Sequence, residues 1–353
     1  MSRMMLFGAV WFLFNASVSS VRADEPEEEN AIAAVKALKG FIIRDKTQLG
    51  EPVVEVFLNG KEVSAAVIKE LASLKHLSKL SLGGAHVTDA VVMEVPALKN
   101  LAELNLAYNE ITDAGLKPLC ELKKLAELNL SNTAITDAGL KELVTMSNLT
   151  SLSLMSTSVT GAGLKDLSAL NNLTALNLSF TKVTDVGLKH VAGLKKLRSL
   201  ILSHTAVTNL GLKELDALKR LTDLTLAYTK VTDAGLKELS TLKNLTALDL
   251  SWTQVTDVGL NEIAVHGNLK GLCLSDTVVT DKGLRNLTPL KELTWLYLGR
   301  TNITNAGLRQ LIQLKKLSYL SLSDDQDITR EQLDELKEAL PLIEIAICPS
   351  PPK

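Results

Sequence analysis

The sequence LTDLTLAYTKVTDAGLKELSTLKN, residues 221–244, contains the pattern that decides the fold. In its first part, Leu224 and Leu226 alternate with polar residues, which is the period of a short strand with one buried side. In its second part, Leu236 and Leu239 have the spacing of one stripe on a helix. This unit therefore pairs a strand with a short helix.

The unit recurs along most of the chain of 353 residues. The pattern L-x-x-L-x-L, with other apolar residues at some positions, returns with a constant period, and its first residue stands at 53, 77, 101, 125, 149, 173, 197, 221, 245, 269, 293 and 317. A fixed period of this length predicts a solenoid in which each coil packs only on its neighbours. We therefore predict an α/β solenoid of twelve 24-residue repeats over residues 53–341, the last with a one-residue insertion.

The start of each helix carries the recurrent sequence T-D-x-G. Thr232 is expected to cap the helix by accepting a backbone N–H, and Asp233 places negative charge at the positive end of the helix dipole. Gly235 stands inside the helix, where glycine costs about 1 kcal/mol relative to alanine. We interpret this glycine as the residue that lets the helix approach its own strand or the next coil.

A single coil cannot bury enough apolar surface to fold alone, so both ends of the array need caps. Residues 30–52 are expected to form the N-terminal cap, with a helix at Ala31–Lys39 followed by the apolar residues Phe41–Ile43. At the other end, Arg330–Ala339 is expected to be helical. Residues 342–353 follow as a capping strand and tail, displaced by one residue from the 24-residue register.

The N-terminus has the pattern of a secretory signal. Arg3 precedes the apolar run Leu6–Phe14, and Val21 and Ala23 occupy the small positions of a cleavage site. We predict cleavage after Ala23, which would leave residues 24–29 as a solvated acidic leader. Since the apolar run is shorter than the roughly 20 residues that a span requires, we expect export rather than anchoring, and no membrane span after cleavage.

Composition excludes several classes of function. Lys and Arg number 38 and Asp and Glu 40, so no basic excess favours nucleic-acid binding. The three cysteines and five histidines occupy unrelated positions of the repeat, so neither a disulfide framework nor a metal site is predicted, and no cofactor is expected. Glu103 and Glu127 are adjacent in the stack and could do acid–base work, but an acidic patch on a wet surface is the simpler interpretation.

The unit LxxLxLxxTxVTDAGLKELxxLKN resembles leucine-rich repeats, and the resemblance covers residues 53–347. The T-D-A-G-L register is similar to that of secreted or envelope proteins of bacteria, especially planctomycetes. It is also similar to the repeats of F-box proteins, which commonly have cysteine where this chain has Thr181 or Thr205, and more loosely to internalins. The resemblance implies a curved horseshoe with a parallel inner sheet, short outer helices, and protein binding on the concave face without catalysis.

Aromatic residues supply the strongest functional signal outside the core. Of nine rings beyond the signal, eight fall on the predicted strands or directly after them, where rings commonly anchor interfaces. Rings beside a strand leucine should leave the core, so Trp295, Tyr297 and Tyr319 are expected to be exposed unless a partner covers them. For rings two residues past the last strand leucine, stacking on one another is an equal alternative. The predicted ligand-binding residues are Tyr228, Asp249, Trp252, Asp276, Trp295, Tyr297, Arg300 and Tyr319.

We therefore predict an exported, monomeric, non-enzymatic scaffold that binds a protein or peptide. A glycan or cell-wall binder is the alternative, because it would also use exposed rings beside acids and amides. A ubiquitin-ligase adaptor is a weaker alternative, because residues 24–52 are too few to hold an F-box beside the cap.

Overall fold

A computed structural model of the chain describes residues 26–324 and 326–349. The predicted signal sequence, residues 1–23, lies outside them. The described chain forms one sheet whose strands follow one another in chain order. The strands are β1 (Phe41–Arg44), β2 (Val53–Phe57), β3 (Lys79–Ser81), β4 (Glu103–Asn105), β5 (Glu127–Asn129), β6 (Ser151–Ser153), β7 (Ala175–Asn177), β8 (Ser199–Ile201), β9 (Asp223–Thr225), β10 (Ala247–Asp249), β11 (Gly271–Cys273), β12 (Trp295–Tyr297), β13 (Tyr319–Ser323) and β14 (Glu344–Cys348).

A short helix follows almost every strand. The α-helices are α1 (Pro26–Ala37), α2 (Ala65–Leu71), α3 (Asp89–Val92), α4 (Leu116–Leu119), α5 (Asp137–Leu143), α6 (Leu164–Leu167), α7 (Asp185–Val191), α8 (Asn209–Leu212), α9 (Asp233–Leu236), α10 (Asp257–Ile263), α11 (Asp281–Leu284), α12 (Asn305–Leu311) and α13 (Arg330–Ala339). Short 3₁₀ segments precede or extend some of them, at Val95–Ala97, Asp113–Gly115, Lys213–Ala217, Lys237–Thr241 and Arg285–Leu287.

The 24-residue register is confirmed by the strand pairing. Leu224 pairs in parallel with Leu248, and the same one-repeat step joins each strand from β2 to β13. The predicted insertion appears at the last step, where Leu320 pairs with Ile345. The leucines of the strands and helices form one continuous buried core. The solenoid is therefore held together by equivalent residues in successive coils.

The N-terminal cap differs from the prediction in two details. Its helix is Pro26–Ala37 rather than Ala31–Lys39, so it begins within the segment expected to be a solvated leader. The strand Phe41–Arg44 runs antiparallel to Val53–Phe57, because the chain turns back on itself between them and enters the sheet as a hairpin. The sheet is parallel from β2 onward.

The recurrent Thr, Asp and Gly form a connection between neighbouring coils, which we name the Asp–Thr clasp. Asp233 accepts hydrogen bonds from the backbone N–H of Thr256 at 2.8 Å and from its hydroxyl at 2.6 Å. Gly259 lies directly against the same carboxylate and leaves it room. The glycine thus makes room for the carboxylate of the preceding coil. The sequence predicts only that it lets the helix approach its own strand or the next coil.

The same clasp recurs at most junctions. Its acceptors are Asp89, Asp113, Asp137, Asp185, Asn209, Asp233, Asp257, Asp281 and Asn305. Asn209 departs from the prediction for Thr232, since its amide donates to the Thr232 hydroxyl at 2.9 Å and that threonine makes no capping bond of its own. Between the fifth and sixth coils, Gly161 replaces the acid, so Thr184 has no clasp.

Candidate binding surface

In strands β3 to β13, the residues on either side of the central leucine face away from the core. Leu296 is fully buried, whereas its neighbours Trp295 and Tyr297 are half-buried, as is Tyr319 on the next strand. We name the sheet surface made by these flanking residues the open face. Sheet register places Trp295 beside Tyr319, so three of the predicted site residues lie together on it.

These three rings, the face rings, pack on one another. The Trp295 and Tyr297 centroids are 5.6 Å apart with an edge-to-face angle of 74°, and those of Tyr297 and Tyr319 are 5.4 Å apart. The indole of Trp295 also lies over Gly271 on the preceding strand, where a Cβ atom would overlap the ring. The sequence predicts exposed rings here, whereas the structure shows them half-buried, because they pack on one another and the missing side chain at Gly271 gives Trp295 a surface to cover.

A depression of about 450 Å³ lies beside the face rings. Trp295 and Tyr297 line one side of it, and Asp223 and Asp249 contribute carboxylates. The sheet surface is recessed here because small side chains, such as that of Ala247, stand on the strands between Asp223 and the rings. Asp249 lies on the strand next to Cys273, and burial together with this carboxylate raises the pKa of the Cys273 thiol to about 11. The depression is acidic and aromatic in character.

A second set of rings lies where the strands end. Phe180 and His204 stack at 4.0 Å, His204 and Tyr228 at 3.9 Å, and Tyr228 and Trp252 at 4.7 Å, with interplanar angles of 14°, 19° and 14°. We name these four residues the rim stack. Adjacent strands of a sheet are about 4.8 Å apart, so equivalent side chains in successive coils fall naturally at ring-stacking distance.

The backbone of the rim stack is left-handed. Phe180, His204, Tyr228 and Trp252 all have φ between 54° and 56°, a region in which L-residues other than Asn, Asp and His are uncommon. Each N–H donates to a carbonyl of the next coil, for example Trp252 to Ser275 at 3.0 Å, and this holds the turn. Stacking contributes about 0.5–1.5 kcal/mol per aromatic pair, which offsets part of the conformational cost.

Arg300 and Asp276 close one end of the rim stack. The Arg300 guanidinium lies 4.9 Å from the Trp252 ring centroid and donates to the Asp276 carboxylate at 2.6 Å. Burial, with a smaller contribution from Asp276, raises the pKa of the Tyr228 hydroxyl. The rim rings are also the more exposed ones, with 49% of Phe180, 41% of Tyr228 and 43% of Trp252 accessible.

The structure thus divides the predicted site into two sets. Trp295, Tyr297, Tyr319 and Asp249 belong to the open face, whereas Tyr228, Trp252, Asp276 and Arg300 belong to the rim, and within the described residues no ring contact joins them. Sequence reasoning missed His204, because it counted only Phe, Trp and Tyr and treated the histidines separately. Its position, one repeat before Tyr228, was the signal that could have found it.

The acidic positions at the N-terminal end of the open face have a structural explanation. Glu103 forms an ion pair of 2.6 Å with Lys79 on the adjacent strand, and this hydrogen bond raises the pKa of Lys79. Glu127 lies next to Glu103 and is exposed. Over residues 26–324 and 326–349, no group of three or more His, Cys, Asp or Glu side chains could hold a metal ion. The same ranges contain no helix with the length and apolar character of a membrane span.

Comparison with known proteins shows what the repeat is similar to. The Leucine Rich repeat family model matches residues 97–120, 121–144, 169–192 and 241–264, each a 24-residue segment in the register described above. No curated protein matches the chain.

Many solved structures match the fold, among them an internalin and a TDR receptor. An internalin from Listeria monocytogenes is 23% identical, with a TM-score of 0.62 over 92% of this chain and 94% of the internalin. A TDR receptor is 18% identical, with a TM-score of 0.53 over 79% of this chain and 48% of the receptor. These similarities confirm the predicted solenoid, whereas the likeness to planctomycete proteins stays a prediction.

Proposed function

We propose that this chain, a solenoid built of leucine-rich repeats, is a non-enzymatic scaffold that binds a protein or peptide on the open face of its sheet. The observation that carries the proposal is the depression lined by Asp223, Asp249 and two of the face rings, Trp295 and Tyr297. Partly exposed rings that surround a depression supply the apolar anchors of protein interfaces, and carboxylates beside them supply specificity. The remainder of the open face is mostly small or polar.

The rigidity of the scaffold supports the same proposal. Each inner strand is bonded to both neighbours, and most helices are joined by clasps, so the open face is formed before a partner arrives. A preorganised surface binds with a smaller entropy cost than a flexible one. The rim stack is a second exposed surface beside the strand ends, and we include Tyr228, Trp252, Asp276 and Arg300 in the proposed binding surface as its edge.

We further propose that the mature protein begins at residue 24, is exported and is monomeric. The signal pattern of residues 1–23 supports export. N-terminal sequencing and cell fractionation of the protein from its source organism would test this, and a size measurement in solution would test the monomer. An intact Met1 in a cytoplasmic fraction would contradict export.

Affinity capture tests the binding proposal. Immobilised 24–353 chain is exposed to envelope and secreted fractions of the source organism, beside a Trp295→Ala/Tyr297→Ala variant and a Tyr108→Ala control. Tyr108 is a ring with 63% of its surface accessible, and it lies outside both ring sets. We expect a protein that the wild type and the control retain and the double variant does not. An unchanged circular dichroism spectrum of the double variant shows that it is folded.

Two outcomes would contradict the proposal. Equal retention by all three chains would place the partner elsewhere on the molecule. Retention of a polysaccharide that survives removal of proteins would favour the glycan-binding alternative.

A further inference from the structure

The rim shows how an aromatic ring and a carboxylate of this chain bind a cationic side chain together. Arg300 lies over the indole of Trp252 and bonds the carboxylate of Asp276 at 2.6 Å, so one guanidinium satisfies a ring and an acid together. A planar guanidinium suits this arrangement because it stacks on an aromatic face and presents a fork of N–H donors to a carboxylate.

The depression on the open face offers the same pair of groups. Trp295 and Tyr297 supply the rings, and Asp223 and Asp249 supply two carboxylates on adjacent strands. No Lys or Arg is among the residues that line it. Asp223 accepts a hydrogen bond from Thr222, and Asp249 accepts two from Ser251, but neither forms an ion pair within the described part of the chain.

The acids elsewhere on these surfaces give the contrast. Glu103 is neutralised by Lys79 on the adjacent strand, and Asp276 by Arg300. Among the acids of the open face that form no ion pair within the described part of the chain, Asp223 and Asp249 lie in a depression that aromatic rings also line, whereas Glu127 lies in one without rings. The charges of Asp223 and Asp249 act together because the two residues stand on neighbouring strands, with Asp223 exposed and Asp249 half-buried.

We propose that the depression binds the side chain of an arginine, with its guanidinium between the carboxylates of Asp223 and Asp249 and the rings of Trp295 and Tyr297. This inference rests on the proposed function, and it specifies that the bound protein or peptide inserts a basic residue here. Lysine is the poorer fit, since an ammonium neither stacks on a ring nor bonds a carboxylate through two parallel donors.

The test uses defined small probes rather than the natural partner. Trp252→Phe in the 24–353 chain leaves Trp295 as the fluorescent reporter, since the remaining tryptophan, Trp11, lies in the signal. N-acetyl-arginine amide is titrated at constant ionic strength, beside the lysine amide and the uncharged citrulline amide. We expect a saturable change with the arginine probe, a weaker one with lysine and none with citrulline.

The matched variant is Asp223→Asn/Asp249→Asn, which removes both charges and keeps the shape. Asparagine already stands in the register of Asp249 at Asn105, Asn129 and Asn177, where each side chain accepts the same N–H two residues further on. The turn should therefore survive, and an unchanged thermal midpoint checks it. We expect the arginine probe to bind about tenfold more weakly or not at all.

Three results would overturn the inference: no saturable response to arginine, an equal response to citrulline, or unchanged affinity in the double variant. Each is distinct from a failure of the proposed function, which concerns retention of a partner. Capture of a protein that depends on Trp295 but not on the two acids would preserve the scaffold proposal and remove the arginine site.

Discussion

The carboxylate of Asp233 occupies the space that a side chain at Gly259, in the next coil, would need. The two residues are more than one full repeat apart in sequence, yet the glycine leaves room for the acid that bonds Thr256. A residue that weakens an isolated helix is thus required by the junction between coils. The cost of glycine within the helix is offset by the hydrogen bonds that it permits.

Replacement of Gly259 by alanine should therefore destabilise the protein. The added methyl would displace the Asp233 carboxylate, and overpacking of this kind costs about 1–3 kcal/mol. Gly267→Ala is the control, because its Cβ would meet nothing within 4 Å. Urea unfolding of both variants measures the difference, and an equal effect at the two positions would refute the steric explanation.

Removal of the acid should have a related effect. Asp233→Ala loses both bonds to Thr256, and we expect a loss of about 1–3 kcal/mol in the free energy of unfolding. Asp233→Asn should stay within about 0.5 kcal/mol, because Asn209 holds Thr232 with a side-chain oxygen at 2.9 Å in the preceding coil. If asparagine proved as damaging as alanine, the negative charge rather than the bond geometry would be responsible.

The repeat fold could be predicted in detail from the sequence, since the spacing of Leu224 and Leu226 recurs with a constant period and parallel pairing follows from it. The clasp could not. The local pattern of Thr232 and Asp233 is that of an ordinary helix cap, and only stacking shows that each acid reaches the following coil. The start of the first helix was also misplaced, because the acidic residues before Ala31 have no apolar periodicity of their own.

His266 should make stability depend on pH. It occupies a register at which Leu242 and Leu290 are buried, and it is itself 1% exposed. Its ring nitrogen Nδ1 has no hydrogen-bond partner among the residues that the structure describes. Burial lowers the pKa of His266 in the folded state. Stability is therefore fully present above the unfolded pKa of about 6.5 and declines as pH falls below it, because the unfolded chain binds the proton more readily.

His266→Leu should raise the thermal midpoint of unfolding. Between about pH 7.5 and pH 5, the midpoint of this variant should fall less than that of the wild type. Removing the unsatisfied nitrogen should increase the free energy of unfolding by about 1–3 kcal/mol. His76→Gln, at an exposed position, is the control and should change neither quantity. A midpoint of His266→Leu that falls with pH as steeply as the wild type would show that other groups cause the dependence.

The junction at Gly161, which has no clasp, should open more readily than the junctions on either side of it. The Thr184 amide has no acceptor among the described residues, whereas the Thr208 amide donates to Asp185 at 2.7 Å. We expect faster hydrogen–deuterium exchange at Thr184 than at Thr208, measured by residue-resolved mass spectrometry. Asp185→Ala should make Thr208 exchange as Thr184 does, and slow exchange at Thr184 in the wild type would contradict the interpretation.

The thiols should differ in reactivity. Burial raises the pKa of Cys273 to about 11, whereas Cys348 is exposed. Since the thiolate is the reactive form, iodoacetamide at about pH 8 should modify Cys348 first and Cys273 far more slowly. Peptide mass spectrometry over time measures both rates, and comparable rates would mean that the Cys273 thiol is not desolvated.

The arrangement of the proposed binding surface was only partly predictable, for a physical reason. Register places Trp295 on the open face, but whether a ring there is exposed depends on its lateral neighbour, and the absent side chain of Gly271 decides it. Likewise, the left-handed turn at Tyr228 has no marker in the sequence, because the same position holds glycine, asparagine, serine and aromatic residues in different coils. Equivalent surface positions hold different residues in successive coils, whereas equivalent core positions mostly hold leucine or another apolar residue.

The repeated clasp has a consequence for how such a gene can change. At every junction from Asp185 to Thr329, a side-chain oxygen of one coil accepts the threonine N–H of the next, so loss or duplication of a 24-residue segment by unequal recombination there regenerates that bond. Such an exchange would shift Trp295 relative to Asp223 by one strand while leaving the core intact. The coil that carries Gly161 is different, since each copy of it would add another unclasped junction.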